Sequence, residues 1–173
     1  MSDDVIEAEQ TVAGNRHLVR ITFAVATLVV VVDQLTKYLA VRNLEGRPPV
    51  EVIGTWVRLV FLRNSGAAFS FGESYTFIFT GIAIAVVVVI VRTSRKLGSL
   101  GWAIALGGLL GGALGNLLDR IFREPGLLRG HVVDFIAFPH FAVFNVADAS
   151  IVCSAVLMVL LALRGIEIDG RRS

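Results

Sequence analysis

What most constrains this chain is the recurrence of apolar runs long enough to cross a bilayer. A helix through a hydrocarbon layer of about 30 Å needs about 20 mostly apolar residues. Four stretches fit. The first, about 21–41, opens with ITFAVATLVVVV and takes in Asp33, Gln34 and Lys37; the second is about 75–91. The third, about 100–118, reads LGWAIALGGLLGGALGNLL and is closed by Asp119 and Arg120. The fourth, about 142–163, is apolar in its second half but bears Asn145, Asp148 and Ser150 in its first. Composition agrees, with 55% hydrophobic and 17% charged residues and a mean hydropathy of +0.74. The expected fold is an all-α membrane protein of four transmembrane helices.

Several function classes drop out. The formal net charge of +2 is spread along the chain, without the basic stripe that nucleic-acid binding needs. The single cysteine, Cys153, lies in the fourth span, so no internal disulfide or multi-cysteine metal site is available. His131 and His140 lack ligand spacing to each other or to that cysteine, so a metal site is not expected. The opening MSDDVIEAEQ is acidic, unlike the basic start of a cleaved signal peptide, and Ala24-Val25-Ala26 lies inside the apolar run. Residues 1–16 are read as a disordered acidic cytoplasmic tail, 17–165 as the four-helix domain and 166–173 as a second cytoplasmic tail.

Orientation follows from the connection RTSRKLGS, which carries Arg92, Arg95 and Lys96 and no acid, marking it as cytoplasmic. Both termini then share that side. Asp33 and Lys37 lie near the end of the first span, and Asn64 precedes the second. Asn116, Asp119 and Arg120 close the third, and Asp134, Asn145 and Asp148 lead into the fourth. With alternating directions, all of them reach the outer face. The outer connections are more than linkers. VEVIGTWVRLVFL, residues 50–62, has the β-branched, partly alternating character of a strand or hairpin, within an extracytoplasmic β-rich segment of about 44–72. FREPGLLRGHVVDFIAFPH, residues 122–140, reads as a re-entrant or interfacial loop before the fourth helix.

A carboxylate inside a transmembrane helix costs about 2.5 to 3.5 kcal/mol at the centre, so Asp148 is a functional candidate. It lies roughly 9 Å below the start of its span. Asp134 precedes it by a loop through Pro139 that brings the chain back. Two carboxylates sharing a site do not easily both ionise, which leaves a proton between an acid and a base. One could activate water for attack on a peptide carbonyl while the other polarises the carbonyl oxygen. Alternatively, Asp134 caps the loop and Asp148 pairs with a basic or amide neighbour. Asp33 and Lys37, four apart, suit a structural ion pair. Asn116 and Asp119 share a face on which they could orient neighbours, and Arg120 sits at a depth where it can reach a lipid phosphate. Gly107, Gly111 and Gly115, with Gly108 and Gly112, form small-xxx-small repeats that permit close helix contact. A small proton-coupled transporter is the rival reading, but its acids would run through the whole thickness. A non-catalytic membrane chaperone or subunit offers no reason for both Asp134 and Asp148.

Five blocks in order carry a resemblance: Asp33-Gln34-x-x-Lys37, Asn64-x-Gly66-Ala67-Ala68-Phe69, Gly112-Ala113-x-Gly115-Asn116-x-x-Asp119-Arg120, Val132-Val133-Asp134-Phe135-Ile136 and Phe144-Asn145-x-Ala147-Asp148. Over about residues 21–163 the chain resembles the lipoprotein signal peptidases, or signal peptidase II, a bacterial family of membrane aspartic peptidases. The resemblance implies that Asp134 and Asp148 are a catalytic pair cutting a prolipoprotein on the amino side of a diacylglyceryl-modified cysteine. It gives Asn64, Gly66, Asn116, Asp119, Arg120 and Asn145 substrate-binding or supporting roles and Asp33 and Lys37 structural ones. It further implies no metal or cofactor, and as partners the lipidated signal peptide and membrane phospholipid. A monomer in the bacterial cytoplasmic (inner) membrane is expected, with its site towards the outer leaflet.

Overall fold

A computed structural model describes residues 3–66 and 76–172. In chain order the elements are α1 (Asp3–Leu44), β1 (Val50–Ile53), β2 (Val57–Asn64), α2 (Thr76–Thr93), α3 (Leu100–Phe122), β3 (Val132–Ala137) and α4 (Val146–Leu163). Ala67, Ala68 and Phe69 of the second block, and Tyr75 at the start of the predicted second span, lie outside the described residues.

The central helix is α3, packed between α1 and α4, and its glycines explain why. Gly107, Gly111 and Gly115 face α1, while Gly108 and Gly112 face α4. A Cβ on Gly111 would stand 2.7 Å from the Ala26 carbonyl oxygen, and one on Gly112 would stand 2.6 Å from that of Ala147. Two stripes of missing side chains therefore let two backbones approach one helix from different sides, the close contact that the repeats predict. Ala26, Leu106, Leu110 and Leu161 fill the core between them. Leu28, Val31 and Leu35 of α1 and Val152, Val156 and Val159 of α4 remain exposed, as befits surfaces solvated by lipid.

Among the described residues, three helices are long and apolar enough to cross a membrane: α1 from Arg16, α3 and α4. The apolar part of α2, Thr80–Thr93, is shorter. Over one end of the bundle lies a three-stranded antiparallel sheet in the order β1-β2-β3. The connection before α4, expected as a re-entrant or interfacial loop, contains the strand Val132–Ala137, so the fold is helical with a small sheet rather than all-α. Its β-branched and aromatic VVDFIA suits a pleated surface, and β2 offers an open edge. In this register Leu62 faces Asp134 and Asn64 faces Val132.

Three boundaries also differ from the sequence reading. Helix α1 begins at Asp3, so the backbone is helical where a disordered tail is expected. DDVIEAEQ has no proline, and Glu7, Ala8, Glu9 and Gln10 are good helix formers. Helix α4 begins at Val146 rather than near 142, because Asn145 caps it in a reciprocal capping box with Asp148. The carboxy-terminal residues fold back as a clasp. The Trp102 indole donates to the Ile166 carbonyl at 2.7 Å, Gly98 N–H donates to Ile168 at 2.9 Å, and Ile166 pairs with Arg172. Buried Trp102 needs an acceptor for its N–H, and this segment supplies one.

Candidate active site

Asp134 and Asp148 arrive from different elements. Asp134 points from β3 and is 1% exposed, whereas Asp148 lies in the first turn of α4 and is half-buried. Between them the chain turns through Pro139 and returns to pair Phe144 with Ile136, exchanging hydrogen bonds of 3.0 and 2.9 Å. The next residue, Asn145, touches both acids. Its side-chain amide donates to Asp134 Oδ1 at 2.6 Å, and its backbone N–H donates to Asp148 Oδ2 at 3.2 Å.

Two further asparagines complete the cradle. Asn64, at the end of β2, donates to Asp134 Oδ2 at 2.8 Å and accepts at 2.8 Å from the backbone N–H of Gly66, whose φ of 96° suits glycine. Asn116, on α3, donates to Asp148 Oδ1 at 2.8 Å. Burial pushes the Asp134 carboxyl up from its ordinary 3.8 to about 6, and the nearby Asp148 pushes the same way. The amides of Asn64 and Asn145 and the charge of Lys37 oppose the rise.

Beneath the pair is a buried ion cluster. Lys37 is fully buried and lies 2.9 Å from Asp33, 2.9 Å from Asp119 and 2.9 Å from Asn116 Oδ1. Asp33 is thus the intrahelical partner that its spacing predicts, and its other oxygen accepts from the backbone N–H of Ala147 at 2.9 Å, tying α1 to α4. Arg120 differs from its reading as a group reaching a lipid phosphate. Its side chain is buried, within electrostatic range of Asp134, Asp119 and Asp148, because three carboxylates beside one face of α3 outcompete the surface for a guanidinium. Every predicted site residue therefore lies in or against one connected assembly.

Two members carry no role in the sequence reading. Gln34 donates to Asp33 at 3.2 Å, to the Gly115 carbonyl at 3.0 Å and to Asp119 at 3.2 Å. Arg123 pairs with Asp119 at 2.7 Å; its i,i+4 spacing from that acid is the signal that identified Asp33 with Lys37. Among the described residues no group of three or more His, Cys, Asp or Glu side chains is arranged to hold a metal ion.

Residues 25–164 match the family profile described as Signal peptidase (SPase) II. The lipoprotein signal peptidase of Streptomyces coelicolor is 57% identical over 163 residues, covering 94% of this chain and 79% of that one. That of Rhodococcus jostii is 50% identical over 163 residues, covering 94% and 81%. Among solved structures, a bacterial membrane enzyme determined by the in meso method at 1.9 Å resolution superposes with a TM-score of 0.73. It is 31% identical, and the match covers 83% of this chain and 92% of that one. A second, determined at 2.3 Å resolution, gives a TM-score of 0.72 at 30% identity, covering 82% and 87%. Helices that cross a membrane, a matching fold and close relatives along most of both chains lead to one conclusion: this protein is a peptidase and belongs to the signal peptidase II family.

Proposed function

We propose that the protein is an aspartic endopeptidase that removes signal peptides from diacylglyceryl-modified prolipoproteins by cleaving on the amino side of the lipidated cysteine. The observation that carries this reading is that Asn145 holds two carboxylates from different elements, Asp134 by its side chain and Asp148 by its backbone. Asp134, pushed up to about 6, holds the shared proton and hydrogen-bonds the scissile carbonyl oxygen. Asp148 is the base that takes a proton from water as the water attacks the carbonyl carbon. Asp134 then passes its proton towards the departing amine, and the proton taken up by Asp148 restores the pair. Arg120 balances the negative charge beside the acids, while Asn64, Asn116 and Asn145 keep them oriented.

The substrate is delivered in the membrane, so the setting belongs to the proposal. Helix α2, extended by residues before Thr80, makes the fourth crossing. The loop after β3 lies at the interface, the basic α2–α3 connection and both termini face the cytoplasm, and the pair opens towards the outer leaflet of the bacterial inner membrane. The protein works there as a monomer, in contact with phospholipid.

The test is cleavage of a purified lipidated precursor by Asp134→Asn and Asp148→Asn variants, alongside a precursor lacking the diacylglyceryl group. Each variant is expected to insert and fold but to lose cleavage by at least about 10²-fold, the lower range for removing a positioned acid or base. The unlipidated precursor is expected to be a poor substrate for the parent protein. Near-normal cleavage by either variant would overturn the carboxylate pair, and equal cleavage of both precursors would overturn the substrate.

A further inference from the structure

The three asparagines of the site share one problem, which the fold solves three times. A carboxamide has a donor end and an acceptor end that are nearly equal in shape, so it must be told which way to face. Here each must turn its NH2 towards a carboxylate. For Asn64 the instruction comes from the backbone N–H of Gly66, which donates to Oδ1 at 2.8 Å. For Asn145 it comes from the backbone N–H of Asp148, donating to Oδ1 at 2.9 Å. Both are backbone groups and are present in any sequence that adopts the turn.

Asn116 lies in the middle of α3, where the neighbouring N–H groups are spent within the helix. Its oxygen is met by Lys37 Nζ at 2.9 Å and more distantly by the Asn145 amide at 3.2 Å. An ammonium has three protons and no acceptor. Two of them are taken by Asp33 and Asp119, each at 2.9 Å, so the third points at Asn116. With Oδ1 held in this way, Nδ2 faces Asp148 Oδ1 at 2.8 Å. Lys37 is fully buried, and besides this contact it reaches the pair only through its charge, which opposes the rise at Asp134.

We infer that Lys37 is a positioning residue for the reaction: it fixes the facing of the Asn116 amide and thereby the orientation of Asp148. The two acids around Lys37 hold its ammonium in register, so the ion cluster is a support for Asp148 as well as a tie between helices. The inference rests on the carboxylate-pair reading of the site.

A kinetic double-mutant cycle on the full-length protein in detergent, with the lipidated precursor, tests it. Lys37→Met is expected to lower kcat by about 10²-fold with little change in KM, the cost of a misplaced catalytic group. Asn116→Ala is expected to lower kcat similarly. The double variant should be no slower than Asn116→Ala alone, because both changes break one path. Multiplying losses would overturn the inference and leave Lys37 a role in stability only. If Lys37→Met does not fold, combining it with Asp33→Asn removes the unpaired charge while keeping an oxygen for Ala147 N–H, and the same cycle is run in that background. Asn116→Asp needs no change at Lys37: it keeps a partner for the ammonium but presents oxygen to Asp148, so kcat near the parent value would also overturn the inference. Asp134→Asn and Asp148→Asn in the same assay separate the two failures. If they remain active the carboxylate pair is wrong, whereas if they are dead and the cycle is additive only the role of Lys37 is wrong.

Discussion

At the scale of single residues, Asp134 is the site of a contest between burial and hydrogen bonding. Burial and the neighbouring Asp148 favour its protonated form, and the amides of Asn64 and Asn145 favour the ionised form, with the balance at about 6. Removing Asn64 takes away a group that lowers the pKa, so the value must rise. If Asp134 carries the working proton, activity falls as pH rises through its pKa, and Asn64→Ala shifts that alkaline limb of the kcat/KM profile upward by about one pH unit, the worth of one hydrogen bond to a charged group. A limb that stays in place or moves down would assign the proton elsewhere. Asp148 was legible in the sequence as a partner of Asp134, but the amide contacts of Asn64 and Asn145 with that carboxylate were not. Asn64 and Asp134 are brought together only by the pairing of β2 with β3.

At the scale of elements, glycine placement decides how the helices meet. On Gly111 an added Cβ would lie 2.7 Å from both the Ala26 carbonyl oxygen and Val29 Cβ, whereas at Gly81 in α2 nothing stands within 4 Å. Gly111→Val is therefore expected to push α1 from α3 and cost about 1 to 3 kcal/mol. Gly81→Ala should be neutral or stabilise by up to about 1 kcal/mol through helix propensity. Thermal unfolding of the two variants in one detergent checks the contrast; similar midpoints would show that α1 and α3 tolerate separation. The repeat spacing announced close packing but not its partners. Which stripe faces α1 and which faces α4 depends on the rotation of α3, and that is set by Asn116 and Asp119 reaching Lys37 and Asp148.

At the scale of the whole molecule, the two ends of α3 do different work. Asn116 lies 14 residues beyond Trp102, or about 21 Å at the rise of an α-helix, so the carboxy-terminal clasp and the acidic pair occupy opposite ends of the bundle. Truncation after Gly165 removes the acceptor of the buried Trp102 indole, a loss of about 1 to 3 kcal/mol, along with the tie at Gly98. The truncated protein is expected to melt at a lower temperature while retaining kcat/KM within about twofold where it stays folded, as befits distant, independent sites. A large loss of activity without a loss of stability would couple the two ends.

Much of this protein was written in local pattern. Apolar runs specified membrane helices, the Asp33/Lys37 spacing specified an ion pair, and motif order specified the family, because hydrophobic period, i,i+4 geometry and short motifs act over a few neighbouring residues. Other features were settled only when distant segments met. Val132–Ala137 became a strand because β2 offered an edge. Arg120 turned inward because carboxylates from three elements gathered beside α3. Lys37 passed from a simple pair to a three-way contact because Asp119 and Asn116 sit one helix away. In each case the deciding energy was a hydrogen bond or a charge interaction across helices and strands, whose partners are far apart along the chain.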